Sequence, residues 1–261
     1  MDLISVFSKK ADHYDRYRWG YAPESIAMIL KTTGINTGST VVDLGAGSGI
    51  LTSHLAGEVG KLVAVEANPE MRRVLAERLS EHSALDILGE RAEFTGLPDR
   101  FADLITIAQA IHWFDPEPAR AEIMRIAKLD GWLAVLRNYG ADEQLNCAIE
   151  DVFTEENGCE PAVITNRPAW KPMAFFFGDG HFERKIFPFV EKMTRERFIG
   201  ALSTASYAPN AGHPLYKHFA QTAGEVFDMF SQDGVLANPV KTELYLGQVL
   251  KRDRDGFATQ F

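Results

Sequence analysis

The feature that most constrains the fold is an alternation of short apolar runs with longer amphipathic segments across residues 40–138. Strands that alternate with helices form a parallel sheet, because each right-handed crossover returns the chain to the same sheet edge. We therefore predict an α/β, Rossmann-like doubly wound sheet with helices on both faces. The apolar runs typical of buried strands are 40–44, 61–66, 84–88, 101–108 and 132–136.

The helices of this region are predicted from their periodicity and from residues that favour helix ends. Asn68 precedes Pro69, which predicts an N-cap followed by proline at the first helical position. Residues 116–129 have a helical pattern, and Asp130-Gly131 is expected to turn the chain into the fifth strand.

Beyond residue 140 the pattern changes. A strand, two helices and a last strand predict a sheet edge that carries a helical insertion, with the last strand antiparallel and seven strands in total. We expect this insertion and residues 1–37 to cover a ligand crevice. The predicted segments are a helix at 142–156, a strand at 182–190, helices at 195–206 and 215–230, and a strand at 242–250.

A glycine-rich turn follows the first predicted strand. Residues 42–49 read VDLGAGSG and lie at the carboxyl edge of the sheet, where such folds bind ligands. Glycines there allow the backbone to approach a ligand closely. Glu66 ends the second strand about 20 residues later, where a carboxylate accepts hydrogen bonds from ribose hydroxyls. The pair indicates a nucleoside-containing ligand.

The spacing of the turn distinguishes between two classes of ligand. The dinucleotide pattern G-x-G-x-x-G would place its third glycine at Ile50, whereas here Gly49 comes one residue earlier. Asp43 would repel a pyrophosphate and attract an ammonium group. The turn therefore favours an aminoacyl nucleoside, and a nicotinamide-dependent oxidoreductase is the weaker alternative.

These residues resemble the class I S-adenosylmethionine-dependent methyltransferases, and among them the small-molecule "type 11" branch. The resemblance implies in-line transfer of a methyl group from S-adenosylmethionine to an oxygen, nitrogen or carbon of a small-molecule acceptor. A non-catalytic protein that binds the methyl donor is the alternative within the same fold. The motifs that carry the resemblance are VDLGAGSG at 42–49, VAVEANPEM at 63–71, AEFTGLP at 92–98, FADLI at 101–105 and AQAIHWFD at 108–115.

The resemblance also implies a division of the chain, which we take as a single methyltransferase domain over residues 1–261. Residues 1–37 form an N-terminal helical cap and residues 38–140 form the cofactor-binding core. Residues 191–235 form a helical lid insertion that is part of the acceptor pocket.

Residue roles follow from the resemblance. It places the glycines against the methionine moiety, Asp43 at its ammonium group and Glu66 at the ribose. Glu93 and Phe94 are expected at the adenine, although most relatives carry Asp after a glycine at this point. The residues assigned to donor binding are Arg18, Asp43, Gly45, Ala46, Gly47, Gly49, Glu66, Ala67, Ala92, Glu93, Phe94, Gln109 and Ala110.

Methyl transfer requires little from the protein besides alignment of the reactants, which contributes about 7–11 kcal/mol. His112 and Tyr14 are the candidate catalytic residues, with His112 either a general base for the acceptor or a packing residue. The aromatic residues near Tyr14 either close over the methyl donor or form a packed cap. The residues assigned to the acceptor are Tyr14, Trp19, His112, Trp113 and Tyr207.

Composition limits the partners. A net charge of −9 without a basic run disfavours nucleic acid, and no apolar run approaches the length of a membrane span. Cys147 and Cys159 have no metal-site spacing, so we expect no metal and a reducing, cytoplasmic setting. The expected partner is a small-molecule acceptor, bound by a monomer or a homodimer.

Overall fold

The computed structural model describes residues 8, 10–160, 171–178 and 181–249 of the chain. Its strands are β1 (Thr40–Leu44), β2 (Lys61–Val65), β3 (Leu85–Leu88), β4 (Ala102–Ala108), β5 (Ala127–Gly140), β6 (Glu183–Met193) and β7 (Leu236–Gln248). Its α-helices are α1 (Ala11–Tyr17), α2 (Pro23–Thr33), α3 (Ile50–Leu55), α4 (Pro69–Arg78), α5 (Pro116–Ile126), α6 (Glu143–Val152), α7 (Arg195–Ser203) and α8 (Tyr216–Phe230). None of the helices in the described ranges combines the length and apolar character that a bilayer crossing requires.

The strands form one sheet of order β3-β2-β1-β4-β5-β7-β6. The pairs from β3 to β5 are parallel, whereas β7 is antiparallel to both β5 and β6. The predicted seven-stranded, mostly parallel sheet with an antiparallel last strand is confirmed. Chain order reverses between β1 and β4, and a crevice opens at that point at the carboxyl ends of the parallel strands.

The core lies on both faces of the sheet because neighbouring strand residues point to opposite sides. Val42 belongs to a buried cluster with Ile123 of α5. Val41 belongs to a separate cluster with Ile29 of α2. Burial on both faces explains why the central strands are almost continuously apolar.

The structure confirms one predicted helix start and corrects one predicted helix end. Asn68 caps α4, accepting hydrogen bonds from the amides of Glu70 and Met71 at 3.0 Å. Helix α5 ends at Ile126, so the prediction that it continues to residue 129 is wrong. The chain is already extended at Ala127, and the register shifts before β5 pairs regularly with β4 from Trp132 onward. Pairing with β4 therefore overrides the local helical pattern.

The insertion between β6 and β7 contains α7 and α8, as predicted, but begins after Met193 because β6 is longer than expected. With α6, the two helices enclose an apolar cluster of their own that includes Phe198, Phe219 and Phe227. Helix α6 ends at residue 152, and α7 ends at residue 203, before a turn over residues 204–208; both helices are shorter than predicted.

Helix α1 bridges the sheet domain and the insertion. On one side Ala11 packs in a buried cluster with Met71 and Val74 of α4. On the other, the ring of Tyr17 lies so close to Gly200 that a Cβ at that glycine would come within 2.5 Å of it. The N-terminal segment is thus in contact with both units that surround the crevice.

Candidate functional site

A first cavity of about 380 Å³ lies at the carboxyl ends of β1, β2 and β4. Its position at the point where strand order reverses is the usual ligand position in sheets of this kind. Most residues assigned to donor binding from the sequence line it. These are Asp43, Gly45, Ala46, Gly47, Glu66, Ala67, Ala92, Glu93, Gln109 and Ala110.

The glycine turn is held tightly against the sheet. The amides of Gly45 and Ala46 both donate to the carbonyl of Val65, at 2.8 and 3.1 Å. Gly45 has a φ of +68°, and a Cβ there would lie 2.6 Å from the Cβ of Ala110. Gly47 also has a positive φ, but nothing lies within 4 Å of where its Cβ would be. The turn therefore needs glycine for its backbone and leaves open space beside Gly47.

Glu66 is fixed by two backbone amides. Its Oε2 accepts from Gly47 N and its Oε1 from Asn68 N, both at 2.8 Å. Burial raises the pKa of Glu66, and these two hydrogen bonds oppose the rise. The carboxylate therefore connects the glycine turn to the start of α4 while lining the cavity.

Asp43 is buried at the end of β1. Its oxygens accept hydrogen bonds from Thr52 Oγ1 at 2.6 Å and Thr106 Oγ1 at 2.7 Å. Burial raises the pKa of Asp43 to about 6, the two threonines lower it, and the charge of Glu66 raises it further. A buried carboxyl whose ionisation is opposed by a second carboxylate in the same cavity favours a cationic ligand.

Ser48 lies in the same turn and was not predicted as a site residue. Its side chain is 1% exposed and lines the first cavity. Among the described residues, its Oγ is the one buried side-chain nitrogen or oxygen that has no hydrogen-bond partner. An unpaired buried hydroxyl is costly, so this atom marks a position where a ligand group would stabilise the turn.

The adenine assignment is only partly supported by position. Ala92 and Glu93 line the cavity, and Glu93 Oε1 accepts from the amide of Asp115 at 2.8 Å. Phe94 is 69% exposed and does not line it, so contact between its ring and the ligand stays a prediction. The tight turn from Arg91 to Phe94 directs the two middle residues inward and the phenyl ring to solvent.

Two further residues assigned to donor binding lie outside the lining of the first cavity. Gly49 does not line the first cavity; it precedes α3 with a φ of +82°, and a Cβ there would lie 3.1 Å from Leu75 Cγ. Its role is close packing of the turn against α4. Arg18 lines a neighbouring cavity instead, where its guanidinium lies over the rings of Tyr14 and Trp19 and donates to Thr204 Oγ1 at 3.2 Å.

This second cavity has a volume of about 290 Å³. All residues assigned to the acceptor line it, namely Tyr14, Trp19, His112, Trp113 and Tyr207. The remainder of its lining comes mainly from the end of α7 and the turn that follows it. Tyr14, Gln109 and Trp113 line both cavities, so the two cavities share a wall.

The shared wall has a strained backbone. Gln109, directly after β4, has a φ of +54°, which is uncommon for a residue with a side chain. Its amide donates to Leu136 O at 2.9 Å and its Nε2 donates to Asn138 O at 3.2 Å. His112 follows in a short 3₁₀ helix, with its ring centroid 5.1 Å from that of Trp113. Backbone strain of this kind is concentrated at functional sites.

Besides Ser48, three lining residues were not assigned to the site from the sequence. They are Tyr21 and Asn68 in the first cavity and Asn138 in the second. Burial raises the pKa of Tyr21 well above its usual range. Tyr21 belongs to the aromatic segment near Tyr14, so a signal was present. No sequence signal pointed to Asn138, because its position in the site depends on where β5 ends relative to the insertion.

The chain is similar to known methyltransferases. A family profile described as "Methyltransferase domain" matches residues 42–135. An uncharacterized methyltransferase of Mycobacterium tuberculosis is 38% identical over 144 residues, which cover 55% of this chain and 56% of the relative. The match therefore spans about half the length of that curated relative.

A second relative is covered more fully. An uncharacterized methyltransferase-like protein of Schizosaccharomyces pombe is 34% identical over 208 residues, 78% of each chain. The solved structure of a putative type II methyltransferase from Anaeromyxobacter dehalogenans has the same fold, with a TM-score of 0.58, 19% identity, and coverage of 89% of this chain and 98% of the other. The chain belongs to the class I S-adenosylmethionine-dependent methyltransferases.

Proposed function

We propose that the protein transfers the methyl group of S-adenosylmethionine to a small-molecule acceptor. The observation that carries this proposal is the pair of adjoining cavities with a shared wall at Tyr14, Gln109 and Trp113. In-line displacement requires the acceptor atom, the methyl carbon and the sulfur to lie on one line. A donor in the first cavity and an acceptor in the second would meet at that wall.

The residues of the first cavity fit S-adenosylmethionine. The open space at Gly47 gives room beside the backbone, and the unpaired Ser48 hydroxyl is available to a polar group. Asp43 and Glu66 together give an acidic environment that suits an ammonium and a sulfonium and disfavours a pyrophosphate. The same charge disfavours the nicotinamide alternative. When bound, S-adenosylmethionine supplies an activated methyl group.

The chain itself would orient the reactants and exclude water. Asp43 would hold the ammonium end and Glu66 the ribose, so that the sulfonium is directed towards the shared wall. His112 is positioned in the second cavity to take a proton from a hydroxyl or amine acceptor. Tyr14, which lines both cavities, would help to hold the donor and the acceptor in line during transfer. A carbon acceptor would use the same alignment.

The proposal includes the surroundings of the site. We expect residues 191–235 to act as a lid over the acceptor and residues 1–37 as a cap, around a cofactor-binding core at 38–140. The size of the second cavity and its lining of mixed aromatic and polar side chains favour a small acceptor over a macromolecule. A cytoplasmic setting is supported by two free cysteines, Cys147 and Cys159.

Two measurements test the proposal. Isothermal titration calorimetry with S-adenosylhomocysteine should show one saturable site, and absence of binding at millimolar ligand would reject a donor site. Incubation with methyl-labelled S-adenosylmethionine and a panel of small hydroxyl, amine and activated-carbon compounds should yield a labelled product by mass spectrometry. Binding without any labelled product would instead identify a non-catalytic protein that binds the methyl donor.

A further inference from the structure

Lys10 is a buried cation in a position that neither cavity explains. Its side chain is 4% exposed, and its Nζ donates to three backbone carbonyls, Ser203 O at 3.1 Å, Ala205 O at 2.5 Å and Ala208 O at 2.7 Å. No carboxylate of the described residues forms an ion pair with it. Lys10 lines neither cavity.

The three carbonyls belong to the turn that forms one wall of the second cavity. Residues 204–207 all line that cavity, and Ser203 is the last residue of α7. Carbonyls at a helix C-terminus carry partial negative charge and lack helical partners, so they accept readily from an ammonium group. Lys10 therefore provides a hydrogen-bond donor for the last carbonyl of α7 and fixes the conformation of the turn that follows.

The residues just after Lys10 form the opposite wall. Tyr14, Arg18 and Trp19 line the second cavity from the N-terminal segment, and Arg18 Nη1 donates to Thr204 Oγ1 across it. The two walls are about 190 residues apart in sequence, and three charge-assisted hydrogen bonds from one ammonium group join them.

We propose that Lys10 is a positioning residue that assembles the acceptor cavity by fixing the turn at 204–208 against the N-terminal segment. The inference rests on the proposed function for the identity of the cavity as an acceptor site. It assigns to Lys10 no contact with either reactant.

The energetics require that the two segments order together. A buried ammonium is costly unless its donors are paired, and three carbonyls that converge on one point repel one another unless a donor lies between them. Burial lowers the pKa of Lys10 to about 8, although Cys159 and Glu160 act to raise it. Desolvation of the ammonium is therefore a cost that the hydrogen bonds to the carbonyls must offset. Partial docking of the N-terminal segment would leave this cost uncompensated.

The test compares Lys10→Met, which keeps an apolar stem and removes the N–H donors, with Arg16→Met. Arg16 joins the same two helices through an exposed ion pair to Glu196 and lines neither cavity, so its loss should have little effect. Amide hydrogen exchange should become at least about tenfold faster at 11–18 and 203–208 in Lys10→Met, with the central strands unchanged. Lys10→Arg, which keeps the charge and donors, should restore much of the protection.

With any acceptor that the enzyme methylates, Lys10→Met should raise the acceptor KM about tenfold or more, and by a larger factor than the donor KM, because several residues of the loosened segments line the second cavity and only Tyr14 of them also lines the first. Unchanged exchange at 203–208, equal exchange changes in the Arg16→Met control, or faster exchange throughout the sheet would each overturn the proposal. Failure to bind S-adenosylhomocysteine would reject the proposed function and leave the exchange result to decide on Lys10.

Discussion

Replacement of Ser48 by alanine should change stability and ligand affinity in opposite directions. In the free protein the Ser48 hydroxyl is 1% exposed and has no partner among the described residues. Leaving a buried hydroxyl unpaired costs about 1–3 kcal/mol relative to water, so Ser48→Ala removes a cost and no hydrogen bond. We expect the free energy of unfolding to stay the same or to rise by about 1 kcal/mol.

The bound protein should respond differently. If the methyl donor pairs with the hydroxyl, Ser48→Ala loses that hydrogen bond, which contributes about 0.5–1.5 kcal/mol. This range corresponds to about a two- to twelvefold weaker Kd for S-adenosylhomocysteine, because 1.4 kcal/mol is a factor of ten. Urea unfolding of the free protein and isothermal titration calorimetry measure the two quantities separately.

Ser25→Ala is the matched control. Ser25 is also buried, but its hydroxyl donates to Ala22 O at 2.6 Å and it lines neither cavity. This variant should lose about 1 kcal/mol of stability and keep its donor affinity. The reasoning is refuted if Ser48→Ala behaves like the control, with lower stability and unchanged Kd.

Further variants test individual roles. Because burial raises the pKa of Asp43 to about 6, its carboxyl is neutral below that value, so donor affinity should fall as pH drops through it; Asp43→Asn should remove this part of the pH dependence in calorimetry. If Arg18 pairs with the donor's carboxylate, Arg18→Gln should weaken S-adenosylhomocysteine about tenfold or more and leave 5′-methylthioadenosine unaffected, since it lacks the amino-acid group. Equal effects on both ligands would contradict that pairing. His112→Asn should lower turnover about 10²–10⁴-fold at unchanged donor affinity, and near-normal turnover would assign His112 a packing role. Gly45→Ala should cost about 1–3 kcal/mol in urea unfolding, because the added Cβ meets Ala110 and φ is positive; wild-type stability would contradict the close approach.

The parts of the site that the sequence predicted are those set by local spacing. Asp43 lies at the end of β1, the glycines follow it, and Glu66 directly follows β2; parallel strands bring such ends to one edge whatever surrounds them. Phe94 and Gly49 do not line the first cavity, and a motif, which gives only the position of a residue in the chain, could not show this. The four-residue turn from Arg91 to Phe94 decides where Phe94 lies, and packing against Leu75 decides where Gly49 lies.

The helix predicted at 116–129 shows a different limit of prediction from sequence. Its last residues have a helical pattern, but β4 offers Ala127 a strand partner, and ladder hydrogen bonds outweigh a weak local preference.

The sequence by itself determined the α/β class, the glycine turn and the paired carboxylates, because each depends on residues close together along the chain or on strand periodicity. Only the tertiary structure decided that the Ser48 hydroxyl lacks a partner, that Arg18 lies in the second cavity, and that Lys10 joins the N-terminal segment to the turn after α7. Those features depend on contacts between segments up to 198 residues apart, and burial and pairing at such distances are properties of the packed chain.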